Sequence, residues 1–221
     1  MRDAGLAVPD GYFFAARANP VEERCLLEAP GFVGEIVQGK ESAVLRAHPT
    51  AALSDLAHFV RVALVLHAFD RGALPLHAAG IVHNGAAYAL FGRSGSGKTT
   101  AARFSAGRPV LSDDLLLLQP GGMCWQAWAT PFGRRKAPGI HSAPLRALLR
   151  LVQDCEDSLE PATQAVALGE LVANTPLINA DPFRSPALLA RWEEVTRTTA
   201  VHFLHFRKSH SFWETIDAKL G

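Results

Sequence analysis

The run Gly92-Arg93-Ser94-Gly95-Ser96-Gly97-Lys98-Thr99 fits the phosphate-loop (Walker A) pattern G-x-x-x-x-G-K-[ST] at every fixed position. Its flanks are those the pattern requires. Ala86-Ala87-Tyr88-Ala89-Leu90-Phe91 reads as a buried strand, and Thr100-Ala101-Ala102-Arg103-Phe104 as the first turns of a helix. Glycines let successive backbone N–H groups turn inward without Cβ clashes, and these donors, with the positive end of a helix, hold polyphosphate oxygens. Gly92, Arg93, Ser94, Gly95, Ser96, Gly97, Lys98, Thr99 and Thr100 are therefore the candidate phosphate-binding residues. Lys98 is expected to reach the outer phosphates, and the Thr99 hydroxyl to ligate Mg²⁺. The alternative is a glycine-rich turn that binds nothing, which leaves a lysine aimed into a nest of amides unexplained.

Working outward, Asn84-Gly85 is a strong hairpin signal, joining a strand that ends near His83 to the strand entering the loop. Downstream, Pro109-Val110-Leu111-Ser112 reads as a strand, then come Asp113-Asp114 and the apolar run Leu115–Leu118, with Met123–Trp128 as its hairpin partner. Residues 129–142 read as loop, 145–152 fit strand or helix equally, and Pro161 is placed to start a helix over 161–173. Ser185-Pro186 starts another helix to about 198, Val201–Phe206 reads as a strand and 211–219 as a final helix. Upstream, Tyr12-Phe13-Phe14, Cys25-Leu26-Leu27, Phe32-Val33 and Ala43-Val44-Leu45 are short apolar runs between Pro and Gly. Ser54 with Asp55 is expected to cap a helix over 55–69. Strands alternating with helices predict a mixed α/β class, with a small β-rich region over 1–50 and the phosphate-loop domain over 51–221.

Composition excludes several function classes. A net charge of +1 removes the electrostatic case for a nucleic-acid or membrane-surface partner. The apolar stretch Phe59–Phe69 carries Arg61 and His67 and is too short to span a bilayer, and the N-terminus lacks a signal-peptide apolar core. Cys25, Cys124 and Cys155 have no zinc or disulfide spacing, which suits free thiols and a cytoplasmic location.

The acidic pair Asp113-Asp114 follows a short strand about fifteen residues after Lys98, where nucleotide-using folds place a carboxylate that holds metal or accepts a proton. Two adjacent carboxylates call for a nearby cation; otherwise the pair is a solvated turn. Arg134, Arg135 and Lys136 form a basic cluster that reads either as a mobile loop over a transferred phosphate or as a solvated loop.

Leu74-Pro75-Leu76-His77-Ala78-Ala79, the hairpin, Phe91–Thr100 and Ser112-Asp113-Asp114, in that order, resemble the core of HPr kinase/phosphorylase. ATP-dependent phosphoenolpyruvate carboxykinase shares that core. The resemblance covers about 74–118. It implies an α/β P-loop core with a mixed β-sheet and an ATP-dependent kinase that transfers the γ-phosphoryl group to a hydroxyl, with a serine of a protein or peptide as acceptor. It further implies ATP and Mg²⁺ as cofactors, and it raises a homo-oligomer as an option. Lys98 then matches the phosphate lysine, Thr99 the metal-binding hydroxyl and Asp114 a carboxylate at the metal. Asp113 matches the general base. A lone histidine beside Leu76 and Ala78 reads by itself as a core residue, but the motif order matches His77 to a histidine near the γ-phosphate. The division of labour between the two aspartates stays open. The family's second signature, an acidic-Ile-Arg-Gly stretch, is absent from Trp125–Lys136, which leaves phosphorolysis and HPr as substrate open. A nucleotide-binding regulator without turnover and a kinase of a small alcohol remain as alternatives.

Overall fold

The structure is a computed structural model that describes residues 17–21, 24–29, 31–37, 39–40, 42–133 and 139–221, with the backbone alone for 17–21. The Tyr12-Phe13-Phe14 run and the Arg134-Arg135-Lys136 cluster lie outside the described residues. The class is mixed α/β, and the chain divides into two compact units: Met1–Gly72 with Leu177–Leu188, and Ala73–Pro176 with Leu189–Gly221.

In the first unit, β1 (Arg17–Val21), β2 (Arg24–Ala29), β3 (Phe32–Val37) and β4 (Ala43–Ala47) form an antiparallel meander. The period-2 alternation of β3 decides its faces: Phe32, Gly34 and Ile36 are buried, while Val33 is exposed. Helix α1 (Leu53–Asp70) lays Phe59 edge-to-face on Phe32, with ring centroids 6.0 Å apart. Its ring also lies directly against Gly34, where a side chain would collide with it. Ser54 and Asp55, expected to cap this helix, instead lie within its first turn; the cap position is Ala52, which makes no side-chain capping bond. Near the end of α1, Arg184 donates two parallel bonds to Asp70, Nε to Oδ1 at 2.8 Å and Nη2 to Oδ2 at 2.9 Å, and a third to Asp181 at 2.7 Å. All three side chains are buried.

The second unit is built on a nine-stranded mixed sheet. Its strands are β5 (Leu74–Leu76), β6 (Ala78–His83), β7 (Ala86–Phe91), β8 (Val110–Ser112), β9 (Leu116–Pro120), β10 (Trp125–Ala129), β11 (Ser142–Gln153), β12 (Ser158–Pro161) and β13 (Ala200–Phe206). They run in the order β5-β9-β10-β11-β7-β6-β8, with β13 on β11 and β12 on β13. Asn84 at φ 51° and Gly85 at φ 78° make the tight left-handed turn between β6 and β7, with His83 opposite Ala86. The segment that fitted strand or helix equally becomes β11, because pairing in parallel with β7 on one side and β13 on the other buries its leucines on both faces. Pro161, expected to start a helix, instead closes β12. That strand pairs only with β13, so the missing N–H falls on a sheet edge, and helix α3 begins at Gln164 and runs to Ala173.

Helices α2 (Lys98–Phe104) and α5 (Phe212–Leu220) cover one face of the sheet. Ala101, Ala102, Phe212, Trp213 and Ile216 pack there on Ile81, Leu90, Leu149, Leu151 and Leu204. Helix α4 (Ser185–Thr198) buries Trp192, whose indole N–H donates to Thr175 Oγ1 at 2.9 Å. Strands β7, β11 and β13 are parallel and end at one edge, with Phe91 opposite Arg150 and Gln153 opposite Phe206. In open α/β sheets that edge is where ligands bind, and the glycine loop leaves β7 there. Among the described residues no helix is long and apolar enough to cross a membrane.

Arg184→Ala is expected to destabilise the protein by about 3–5 kcal/mol, because it leaves two buried carboxylates without their cation. Urea unfolding monitored by circular dichroism measures it, and a loss below about 1 kcal/mol would contradict that role for the ion triad.

Candidate functional site

The loop between β7 and α2 owes its shape to three glycines in the left-handed region: Gly92 at φ 147°, Gly95 at 80° and Gly97 at 104°. Two of them also have no room for a side chain. A Cβ on Gly92 would sit 2.8 Å from Ser96 Oγ, and one on Gly97 would sit 2.6 Å from Phe206 Cζ. The Ser96 N–H donates to Arg93 O at 3.0 Å, closing a turn, and the Gln153 amide donates to Gly95 O at 2.7 Å, tying the loop to the end of β11. Helix α2 then starts at Lys98, with Gly97 as a cap that offers no side chain to the first-turn N–H groups. Arg93, Ser94, Gly95 and Thr99 are exposed and Thr100 is half-buried. The Ser96 hydroxyl oxygen is buried with no hydrogen-bond partner among the described residues.

Lys98 is 7% exposed, so its charge has left bulk water. The ammonium turns back onto the loop, donating to Gly92 O at 2.6 Å and Arg93 O at 3.0 Å. Burial pushes its pKa down to about 8; the Asp114 carboxylate opposes that shift and the Arg150 guanidinium adds to it.

The acidic pair follows β8 in a turn organised by Ser112. The Ser112 hydroxyl accepts the N–H groups of Asp114 and Leu115, both at 3.3 Å, and donates to Phe132 O at 2.8 Å. That bond draws the segment 130–133, just past β10, over the pair, so that a Cβ on Gly133 (φ 105°) would lie 2.6 Å from Asp113 Oδ1. Asp113 is 6% exposed. His77, between β5 and β6, is held by its own N–H to Asn174 O at 3.0 Å and by its ring Nδ1 to Asp114 O at 2.8 Å. A carbonyl only accepts, so Nδ1 carries the proton and the Nε2 position holds the lone pair. Burial, with Lys98 nearby, pushes the His77 pKa down to about 2, so the ring is neutral at ordinary pH.

Of the residues expected at the site, His77, Lys98 and Asp114 form one electrostatic group: His77 Nδ1 lies 3.6 Å from Asp114 Oδ1, and both side chains act on the Lys98 neighbourhood. Asp113 Oδ1 lies against Gly133. Arg134, Arg135 and Lys136 are outside the described residues. The sequence reading passed over Arg150, Gln153, Glu170 and Asn174. The first two sit at the end of a segment whose strand character was open, although a single arginine within Leu148-Leu149-Arg150-Leu151-Val152 was a visible signal.

No protein-family model and no curated protein matches this chain. Among solved structures, the HPr(Ser) kinase/phosphatase from Coxiella burnetii is 10% identical, over 60% of this chain and 85% of that chain, with a TM-score of 0.33.

Gly97→Ala is expected to cost about 2–4 kcal/mol, since it adds a collision with Phe206 to the left-handed penalty. Gly95→Ala meets nothing within 4 Å and is expected to cost about 1–2 kcal/mol. Parallel urea unfolding of the two variants checks the order; equal losses would contradict the close Phe206 contact.

Proposed function

We propose that this protein is an ATP-dependent kinase that transfers the γ-phosphoryl group to a hydroxyl, with a serine of a protein or peptide as acceptor. The observation that carries the reading is the buried Lys98 ammonium, folded onto the carbonyls of a three-glycine loop and flanked by His77 and Asp114. A cation held in that state gains most from a polyanion that replaces the two carbonyls. The motif order from His77 to Asp114, with its resemblance to the HPr kinase core, adds the reaction class.

In this reading the amides of 92–98 cradle the phosphates and Lys98 neutralises them. Thr99 and Asp114 supply oxygen donors of the kind Mg²⁺ prefers, and Mg²⁺ sites of this type complete their coordination with substrate phosphates and water. Bound there, the ion supplies charge neutralisation on the phosphates. Asp113, whose carboxylate lies beside Gly133, takes the proton of the acceptor hydroxyl. His77, neutral and with Nδ1–H committed to Asp114 O, presents its other nitrogen as an acceptor and fixes the Asp114 backbone. Catalysis of this kind is mostly positioning and charge stabilisation. The exposed thiols of Cys124 and Cys155 and the absence of any disulfide among the described residues suit a reducing cytoplasm.

A second reading, a nucleotide-binding regulator, is favoured by the missing acidic-Ile-Arg-Gly signature. Incubating the protein with γ-labelled ATP, Mg²⁺ and a cell extract separates the two. Label transfer to a macromolecule that is abolished in Lys98→Ala and lost in Asp113→Asn supports the kinase; nucleotide binding without transfer supports the regulator; label on a small molecule points to an alcohol kinase. Full turnover by a folded Lys98→Ala variant would reject the assignment.

The pH dependence has a fixed sign. An anion on Lys98 raises its pKa above the empty-site value of about 8. Binding then takes up a proton above that pH, so MgATP affinity is expected to be level below pH about 8 and to fall by up to about tenfold per pH unit above it. His77, neutral down to about 2, contributes no break near pH 6–7. Calorimetric titrations across this range would measure it, and an affinity that rises with pH would contradict the role of the ammonium.

A further inference from the structure

Arg150 is the second cation at the loop, and the fold has placed it with care. On β11 it stands opposite Phe91, the last residue of β7, one step before the loop begins. Its neighbours Leu149 and Leu151 face the core under α2 and α5, so strand alternation turns Arg150 to the opposite face of the sheet, where α3 lies. There its Nε donates to Glu170 Oε2 at 2.8 Å, and one Nη1 hydrogen goes to the Leu151 carbonyl. The same Nη1 is 3.1 Å from where a Cβ on Gly92 would stand. The guanidinium is thus against the loop's first glycine, whose carbonyl receives the Lys98 ammonium.

Three facts make this more than a structural ion pair. The guanidinium side chain is 15% exposed, and three of its five N–H donors make no hydrogen bond among the described residues and stay open to solvent or a ligand. It is close enough to Lys98 to oppose that residue's charge. The two cations repel, and each is offset by a single carboxylate, Glu170 for Arg150 and Asp114 for Lys98, which leaves room for a further anion that both could share. And it gathers at Gly92, the same end of the loop as the lysine ammonium, rather than at the α2 end where the first-turn amides point.

We propose that Arg150 is a phosphate-contacting residue that engages the outermost phosphate of a bound nucleoside triphosphate, with Glu170 holding the guanidinium fork in position until that phosphate arrives. This rests on the phosphate-loop reading above. It assigns distinct tasks to the two cations: Lys98 serves the phosphate chain in general, while Arg150 distinguishes triphosphate from diphosphate. An arginine suits the task, because its planar fork can keep Nε on Glu170 and still offer its outer N–H groups to phosphate oxygens.

The test compares affinities for MgATP and MgADP by calorimetry on the full chain. Arg150→Gln is expected to weaken MgATP by about tenfold or more, the loss of one charge-assisted bond, while MgADP affinity stays within about twofold. Lys98→Ala is expected to weaken both. Equal losses for the two nucleotides in Arg150→Gln, or no loss, would overturn the proposal and leave the phosphate-loop reading standing. Absence of any nucleotide binding by the unmodified protein would overturn both. Should the glutamine variant fail to fold, Arg150→Lys carries the same comparison: a smaller loss confined to MgATP is expected, and unchanged ATP-over-ADP selectivity would overturn the assignment.

Discussion

A lysine ammonium withdrawn from water has to be solvated by something, and in this protein the solvent is the backbone of the loop that precedes it. Lys98 spends two of its donors on Gly92 O and Arg93 O. That is feasible only because Gly92, Gly95 and Gly97 take left-handed conformations that fold the chain back over the side chain. The remaining features of the site answer to this buried charge. Asp114 offsets it, the charge of Arg150 opposes it, and His77 is kept neutral partly by it.

The surrounding fold maintains the loop by contacts from distant segments rather than by the loop itself. Phe206 from β13 occupies the space beside Gly97, Gln153 from β11 ties down Gly95, and Arg150 lies beneath Gly92. These three residues belong to parallel strands whose ends coincide at one edge of the sheet. On the other side of the site, one hydroxyl organises the acidic turn: Ser112 accepts two N–H groups and donates to Phe132, which draws Gly133 onto Asp113. The charges of this arrangement are held by backbone and sheet rather than by solvent.

Local signals were legible wherever a short stretch carries its own physics. The Asn84-Gly85 turn, the left-handed glycines of 92–97 and the β6–β7 hairpin depend on the conformational freedom of a few residues, which spacing alone reveals. Ser54-Asp55 and Pro161 misled for the complementary reason. Each is a good helix-start signal, but the first was overtaken by a helix that begins at Leu53, and the second by a strand edge that tolerates proline. The segment 145–152 could not be assigned from its periodicity, because an apolar run buried on both faces looks alike in a strand or a helix.

Residue order by itself determined the glycine loop, the turn before it and the adjacency of Asp113 and Asp114, since these are matters of backbone freedom and covalent neighbourhood. Only the tertiary structure decided which groups are charged and what they face. The lowered pKa of Lys98, the neutral tautomer of His77 and the meeting of Arg150 with Gly92 and Glu170 arise from burial and from Coulomb fields among segments dozens of residues apart. Such fields depend on distance through space, which no local pattern of residue types encodes.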